Sequence, residues 1–323
     1  MKKIAVLTSG GDSPGMNACI RAVVRTALRN KIQVYGIKRG YQGAIDGDFI
    51  KMKSSMVSNI IQLGGTILQS ERSKEFKTKE GRQKAYQQLK SKGIEGLVVI
   101  GGDGTFTGAQ VFTKEYRDLP IVGCPGTIDN DLYGTDFTIG YDTAINTAME
   151  AIDKIKDTAN AHNRLFVVEV MGRDAGFIAL RTAIATGSEA VLIPESKTDY
   201  AELFDTLKKN LKKKKRSGII IVAEGDESGG AYQVAKEVQD HFENYEIRVT
   251  VLGHVQRGGR PTCMERVNAS RMGRGAVESL IEGTSGVMIG IVHNKISYTP
   301  FEHAIKYTRT INPMLLDMVH VLS

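Results

Sequence analysis

Short apolar runs rich in β-branched residues alternate with helix-like stretches along the whole chain, and several of those runs end in glycine-rich turns. The runs cover residues 3–8, 33–37, 96–100, 120–124, 165–170, 190–193, 217–223, 248–252 and 287–292. This strand, helix, strand rhythm is that of parallel sheets, whose crossover connections need a helix. A continuous apolar run such as Leu97-Val98-Val99-Ile100 suits a strand covered on both faces. Residues 78–92 read as a helix with Thr78 as N-cap, Glu80 placing negative charge in the first turn and Gly93 as the stop. Residues 141–161 and 262–282 read likewise. The pattern predicts a doubly wound α/β fold, and 323 residues suffice for roughly two such domains. No Pro/Gly/Ser-rich linker separates them.

Charge narrows the function classes. Lys plus Arg at 43 against Asp plus Glu at 36 gives a net charge of +7, which attracts anions but is modest for a nucleic-acid binder of this size. Without tryptophan, and with tyrosine and phenylalanine scattered, there is no aromatic ladder for stacking bases. Phosphorylated small molecules, and neither nucleic acid nor membrane, are the expected partners. The apolar runs, such as 219–223, fall far short of the about 18 residues that span a bilayer. The basic start Met1-Lys2-Lys3 leads into an apolar stretch, Ile4 to Leu7, too short for a signal sequence, so a cytoplasmic location is expected. Cys19, Cys124 and Cys263 lack the spacing of a disulfide framework or metal site and read as small buried fillers.

Three turns carry the chemistry. Thr8-Ser9-Gly10-Gly11-Asp12-Ser13-Pro14-Gly15 follows an apolar strand and precedes the helix bearing Arg21 and Arg25. Glycines let backbone approach a phosphate, and a helix N-terminus favours negative charge; a plain tight turn is the competing reading. Gly101-Gly102-Asp103-Gly104-Thr105 offers bare amides for phosphate oxygens, and Asp103 a hard oxygen ligand for Mg²⁺ or its waters; as a bare strand-to-helix turn, Asp103 merely caps. Pro125-Gly126-Thr127-Ile128-Asp129-Asn130-Asp131 places two carboxylates two residues apart after another buried strand. A carboxylate that accepts a hydroxyl proton suits phosphoryl transfer to an alcohol, with Asp129 the natural candidate.

These motifs, in this order and spacing, resemble the bacterial ATP-dependent 6-phosphofructokinase family. Met171-Gly172-Arg173, Ala223-Glu224-Gly225 and Gly253-His254-Val255-Gln256-Arg257-Gly258-Gly259 extend the resemblance over nearly the whole chain. It implies two doubly wound domains with the active site in the cleft between them, residues 1–140 plus 255–300 binding ATP and 141–254 plus 301–323 binding fructose 6-phosphate. The donor side would be Gly11, Arg72, Ser73, Gly102, Asp103, Gly104 and Thr105, with Asp103 at Mg²⁺. The sugar side would be Thr127, Asp129, Asp131, Met171, Gly172, Arg173, Glu224, His254 and Arg257, with Arg164 and Arg248 reaching in from a neighbouring subunit of a homotetramer. Asp129 would be the base, with Thr127, Arg173 and Arg72 stabilising the transferring group.

Relatives that use pyrophosphate carry Asp where Gly104 stands and Lys where Gly126 stands, so the two glycines favour ATP. The resemblance also implies an effector site for ADP or phosphoenolpyruvate at Arg21, Arg25, Lys156, Gly187, Glu189, Lys213 and Lys215. Lys156 and Lys213 replace arginines, and Asn59 an aspartate, which predicts a blunted response because lysine lacks the guanidinium fork. The basic run 212–216 is otherwise the solvated end of a helix. Lipid and NAD kinases share the Gly101-to-Thr105 turn but leave the third turn and the His254 segment unexplained. A catalytically dead phosphosugar sensor is countered by intact Asp103 and Asp129, and a basic nucleic-acid binder is left to a salt-dependence test.

Overall fold

A computed structural model describes residues 1–162, 164–213, 217–242 and 245–322. Its strands are β1 (Lys3–Thr8), β2 (Gln33–Ile37), β3 (Phe49–Lys51), β4 (Leu97–Gly101), β5 (Ile121–Thr127), β6 (Ile139–Gly140), β7 (Arg164–Val170), β8 (Ala190–Leu192), β9 (Gly218–Ala223), β10 (Glu246–Val251), β11 (Val287–Val292) and β12 (Lys295–Pro300). The helices are α1 (Met16–Arg29), α2 (Gly40–Asp46), α3 (Lys79–Ser91), α4 (Asp103–Glu115), α5 (Tyr141–His162), α6 (Phe177–Thr186), α7 (Tyr200–Lys212), α8 (Ala231–His241), α9 (Cys263–Ile281), α10 (Phe301–Lys306) and α11 (Pro313–Leu322). Among the described residues no helix is long and apolar enough to cross a membrane.

The chain divides into two compact units. The first comprises Met1–Ile128, Leu132–Thr143 and Arg257–Arg309. Its sheet runs β12-β11-β5-β4-β1-β2-β3, parallel from β11 to β2 with antiparallel strands at both edges, and β6 pairs in parallel with the end of β5. Ile4 and Val6 of β1 join a core under α1 and α9, while Ala5 and Leu7 join one under α3 and α4. This two-sided burial is what β4, buried at every position, required. Apolar spacing makes α1 amphipathic: Met16, Cys19, Ile20, Val23, Val24 and Ala27 all turn to the core. In α3, Thr78 accepts from Gly81 N at 3.0 Å, Glu80 lies in the first turn, and Gly93 follows in the left-handed region.

The second unit comprises Asp129–Asp131, Ala144–Gln256 and Thr310–Ser323. Its sheet, β10-β7-β9-β8, is parallel throughout. Leu165, Val167, Ile220 and Val222 pack one face against Leu203 and Leu207 of α7 and Val234 and Val238 of α8.

Three sequence expectations change. Cys263 is exposed, unlike Cys19 and Cys124, because it is the first residue of α9 and has no core-facing position there. The run ending at 124 continues to Thr127, since Pro125 falls between the β11 pairing, which reaches Gly123, and the β6 pairing, which starts at Gly126. Of the additional strands, β3 and β12 lie at an edge, where half-exposed residues break the apolar runs that mark the others, and β6, though buried, is only 2 residues long.

Candidate active site

In the first unit β1 leads through α1 to β2 on one side, while β4 lies on the other. The strand order reverses there, and ligands of such sheets bind beyond the carboxyl ends of those strands. Both glycine turns sit at this point. Ser9 N donates to Ile100 O at 2.9 Å and Thr105 Oγ1 to Ser9 O at 3.1 Å, stitching the turns together. A Cβ on Gly101 would fall 2.3 Å from Thr105 Oγ1 and 2.4 Å from Ser9 O, so only glycine permits this approach. Thr8 Oγ1 donates to Gln69 O at 2.7 Å, and Ser70 Oγ donates to Gly10 O, fastening the segment that carries Arg72.

Asp103, half-buried, opens α4 among its free amides. Around a Cβ on Gly104 nothing lies within 4 Å, whereas one on Gly126 would meet Met16 Cε at 2.8 Å and Gly101 N at 3.2 Å. Gly102 brings the third turn alongside, its Cβ position 3.6 Å from Thr127 Cβ. Gly11 lies against Arg257: a Cβ there would be 2.1 Å from Nη1, and the Arg257 Nε is buried without a partner. Arg72 is exposed, and the Ser73 hydroxyl is engaged, donating to Gln42 Oε1 at 2.7 Å and accepting from Phe76 N at 3.0 Å. After Thr127, Asp129 and Asp131 flank Asn130, which is buried with φ 56°.

Sequence reasoning missed Tyr41, whose hydroxyl donates to Thr105 O at 2.7 Å and props the second turn from below. Burial pushes its phenol pKa up, so it stays a donor. A lone tyrosine in Gly40-Tyr41-Gln42-Gly43 carries no signal of that role.

In the second unit the carboxyl ends of β7 and β9 come together. Arg173 N donates to Glu224 Oε2 at 3.2 Å, and a Cβ on Gly225 would fall 2.0 Å from Arg173 O. Met171, Gly172, Arg173 and Glu224 therefore form one surface, with the Arg173 side chain 71% exposed and its Nε 3.3 Å from Asp174 Oδ2. His254 is exposed in the turn after β10. Arg164 and Arg248 lie elsewhere: Arg164 starts β7, about 20 Å along the strand from Val170 at the usual rise. Both ion-pair with Glu246, Arg164 Nε at 2.9 Å from Oε1 and Arg248 Nη2 on the same oxygen.

Of the residues expected at an effector site, Arg21 and Arg25 stand one turn apart on α1, with Arg21 Nε buried and without a partner. In the second unit Lys156 donates to Thr186 O and, at 3.5 Å, to Gly187 O, capping α6. Glu189 is buried and accepts from Asn210 Nδ2 at 2.7 Å, and Lys213 is the C-cap just after α7. Lys215 lies outside the described residues, as do Lys214 and Arg216 of the basic run.

Comparison with known proteins bears on this geometry. The family described as Phosphofructokinase matches residues 3–280. The Bacteroides thetaiotaomicron protein named ATP-dependent 6-phosphofructokinase 2 is 55% identical over 322 residues, covering 100% of this chain and 98% of the relative. The Thermus thermophilus ATP-dependent 6-phosphofructokinase 1 is 53% identical over 323 residues and 100% of both chains. Phosphofructokinase from Saccharomyces cerevisiae aligns with a TM-score of 0.89 and 39% identity over 100% of this chain and 48% of that one, so the chain spans about half the yeast protein. A pyrophosphate-dependent phosphofructokinase from Marinobacter aquaeolei, at 21% identity, TM-score 0.86 and coverage of 100% and 91%, shares the fold. A family match through most of the length, with more than half of all positions identical to full-length relatives, shows that this chain belongs to the phosphofructokinase family.

Proposed function

We propose that this chain transfers the γ-phosphoryl group of ATP to the C1 hydroxyl of fructose 6-phosphate, giving fructose 1,6-bisphosphate and ADP, the committed step of glycolysis. The observation that carries this reading is the cradle at the end of β4: stitched amides ahead of α4, with open space at Gly104 where a side chain would crowd a nucleotide. The names of the relatives above support the same activity.

In this reading Gly11, Gly102, Gly104 and Thr105 offer backbone and hydroxyl donors to the phosphates, with Arg72 and Ser73 beside them. Asp129 accepts the C1 hydroxyl proton as that oxygen attacks the γ-phosphorus in line. Thr127, Arg72 and Arg173 stabilise the charge on the transferring group. Glu224 and His254 hydrogen-bond sugar hydroxyls, Asp131 and the Met171-Gly172-Arg173 turn line the sugar, and Arg257 contributes a guanidinium whose buried Nε has no other partner. Among the described residues no three His, Cys, Asp or Glu side chains gather as a metal cage. Asp103 with phosphate oxygens and water is a fitting donor set for Mg²⁺, which supplies charge neutralisation when bound.

ATP rather than pyrophosphate is the donor. A lysine at position 126 would have to displace Met16 and crowd the Gly101 amide, which disfavours the lysine half of the pyrophosphate users' charge pair. The active form is a cytoplasmic homotetramer in which Arg164 and Arg248 serve a neighbouring subunit's sugar phosphate. Its response to ADP or phosphoenolpyruvate is blunted, and the engagement of Lys156 with the end of α6 supports this. Strongly sigmoidal kinetics with large phosphoenolpyruvate inhibition would contradict that last point.

The test of the activity is a coupled assay with Mg-ATP and fructose 6-phosphate, repeated with pyrophosphate. Turnover with ATP is expected; turnover with pyrophosphate alone, or none with either, would overturn the reading.

A further inference from the structure

In the first unit, the opening turn of α5 and the start of α9 exchange caps. Thr262 is the N-cap of α9 and accepts from Glu265 N at 3.1 Å, half of a capping box. In a capping box the second half is the glutamate turning back to the N-cap N–H. Here Glu265 instead reaches α5: Oε2 accepts from Thr143 N at 3.2 Å and Thr143 Oγ1 at 3.3 Å. Thr143 returns the favour, its hydroxyl accepting from Thr262 N at 3.3 Å, and the Thr262 hydroxyl donates to Asp142.

This clasp lies under the first glycine turn. A Cβ on Gly15, at φ +107°, would fall 2.9 Å from Glu265 Cγ and 2.9 Å from Ile139 Cγ2, and Ser13 Oγ donates to Ile139 O at 2.7 Å. Nothing in the proposed chemistry uses Glu265, which is only 2% exposed.

We propose that Glu265 is a positioning residue for the phosphoryl donor: its carboxyl locks the first turns of α5 and α9 beneath Gly15 and so holds the 11–13 backbone where the nucleotide's phosphates rest. This rests on the ATP reading above. The charges around the carboxyl make the lock depend on pH. Burial, with Asp142 of α5 adding to it, pushes the Glu265 pKa up to about 8 against the pull of its donors at Gly140 and Thr143. Gly15 from the turn and Ile139 from β6 meet this carboxyl's stem with uncharged groups, while Arg266 of α9 turns its Nε to Pro261 O at 2.8 Å. Above pH 8 Glu265 itself becomes a buried charge and the clasp loosens.

The experiment measures kcat and both KM values from pH 7 to 9.5 for the full chain, Glu265→Gln and Glu265→Ala, with Mg-ATP affinity measured in parallel by calorimetry. For the unsubstituted chain, KM and Kd for Mg-ATP rise by about tenfold between pH 7 and 9, while KM for fructose 6-phosphate does not follow. Glu265→Gln keeps the uncharged shape and abolishes that rise, and Glu265→Ala shows weakened ATP affinity already at pH 7. If Glu265→Gln shows the same rise, or the unsubstituted chain binds ATP with no such rise, the proposal is overturned on its own, whether or not Glu265→Ala folds. Absence of Mg-ATP binding would overturn the underlying reading together with it.

Discussion

Replacing Glu265 with Gln tests the electrostatics of the clasp through stability alone. An unperturbed glutamate titrates near 4.5, whereas burial moves this one to about 8 in the folded chain. Below pH 4.5 both folded and unfolded forms carry the proton, so Glu and Gln variants differ by a constant offset. As pH rises through the window from 4.5 to 8 the unfolded form ionises first, and stability falls by about 1.4 kcal/mol per pH unit. At pH 7 the loss is about 3 kcal/mol, and it levels off near 5 kcal/mol above pH 8. Gln has no such titration. Guanidinium unfolding of both proteins at pH 5, 6, 7, 8 and 9 therefore gives a stability difference in favour of Gln that grows with pH and then flattens. A difference constant to within about 0.5 kcal/mol across that range, as an exposed carboxyl would give, or one that shrinks with rising pH, as a carboxyl stabilised in its charged form would give, overturns the burial account.

Asp129→Ser is expected to lower kcat by two to four orders of magnitude with little change in either KM, measured in the coupled assay; an unchanged kcat removes Asp129 from the role of base. A Cβ at position 104 meets no atom within 4 Å, and the site lies in the first turn of α4, so Gly104→Asp should leave the melting temperature unaltered yet raise KM for ATP at least about tenfold. Equal KM values would mean the open space is not where the donor lies. Thr78→Ala removes the acceptor for Gly81 N and should destabilise by about 1 kcal/mol in denaturant titrations, with Thr78→Ser recovering most of it.

Legibility in this sequence follows the range of the interaction. The cap at Thr78 and the stop at Gly93 depend on neighbours three or four residues away, and the spacing showed both. The central strands were visible because burial on two faces leaves no position for a polar residue, as in β4. Edge strands such as β12, with exposed Lys295 and Tyr298, obey no such demand and blend into turns. Cys263 looked like its two buried counterparts because nothing local distinguishes a first-turn position that faces the core from one that faces water.

The site divides along the same line. Glycines at 101 and 102 and the aspartates at 103 and 129 form short local motifs, so the candidate chemistry could be named from spacing. The side chains that hold those motifs come from distant segments: Tyr41 supports Thr105 and Ser70 fastens Gly10. Arg257 meets Gly11 only because the chain returns to the first unit after forming the second. Glu265 shows the limit most sharply. Thr262 and Glu265 stand at capping-box spacing, which correctly signals the start of α9, yet the same spacing implies that the carboxyl closes on its own helix. It closes on α5 because Thr143 already occupies the N–H of Thr262, a competition between two helix ends 119 residues apart. Local rules identify which groups need partners, and tertiary structure decides which partner each one takes.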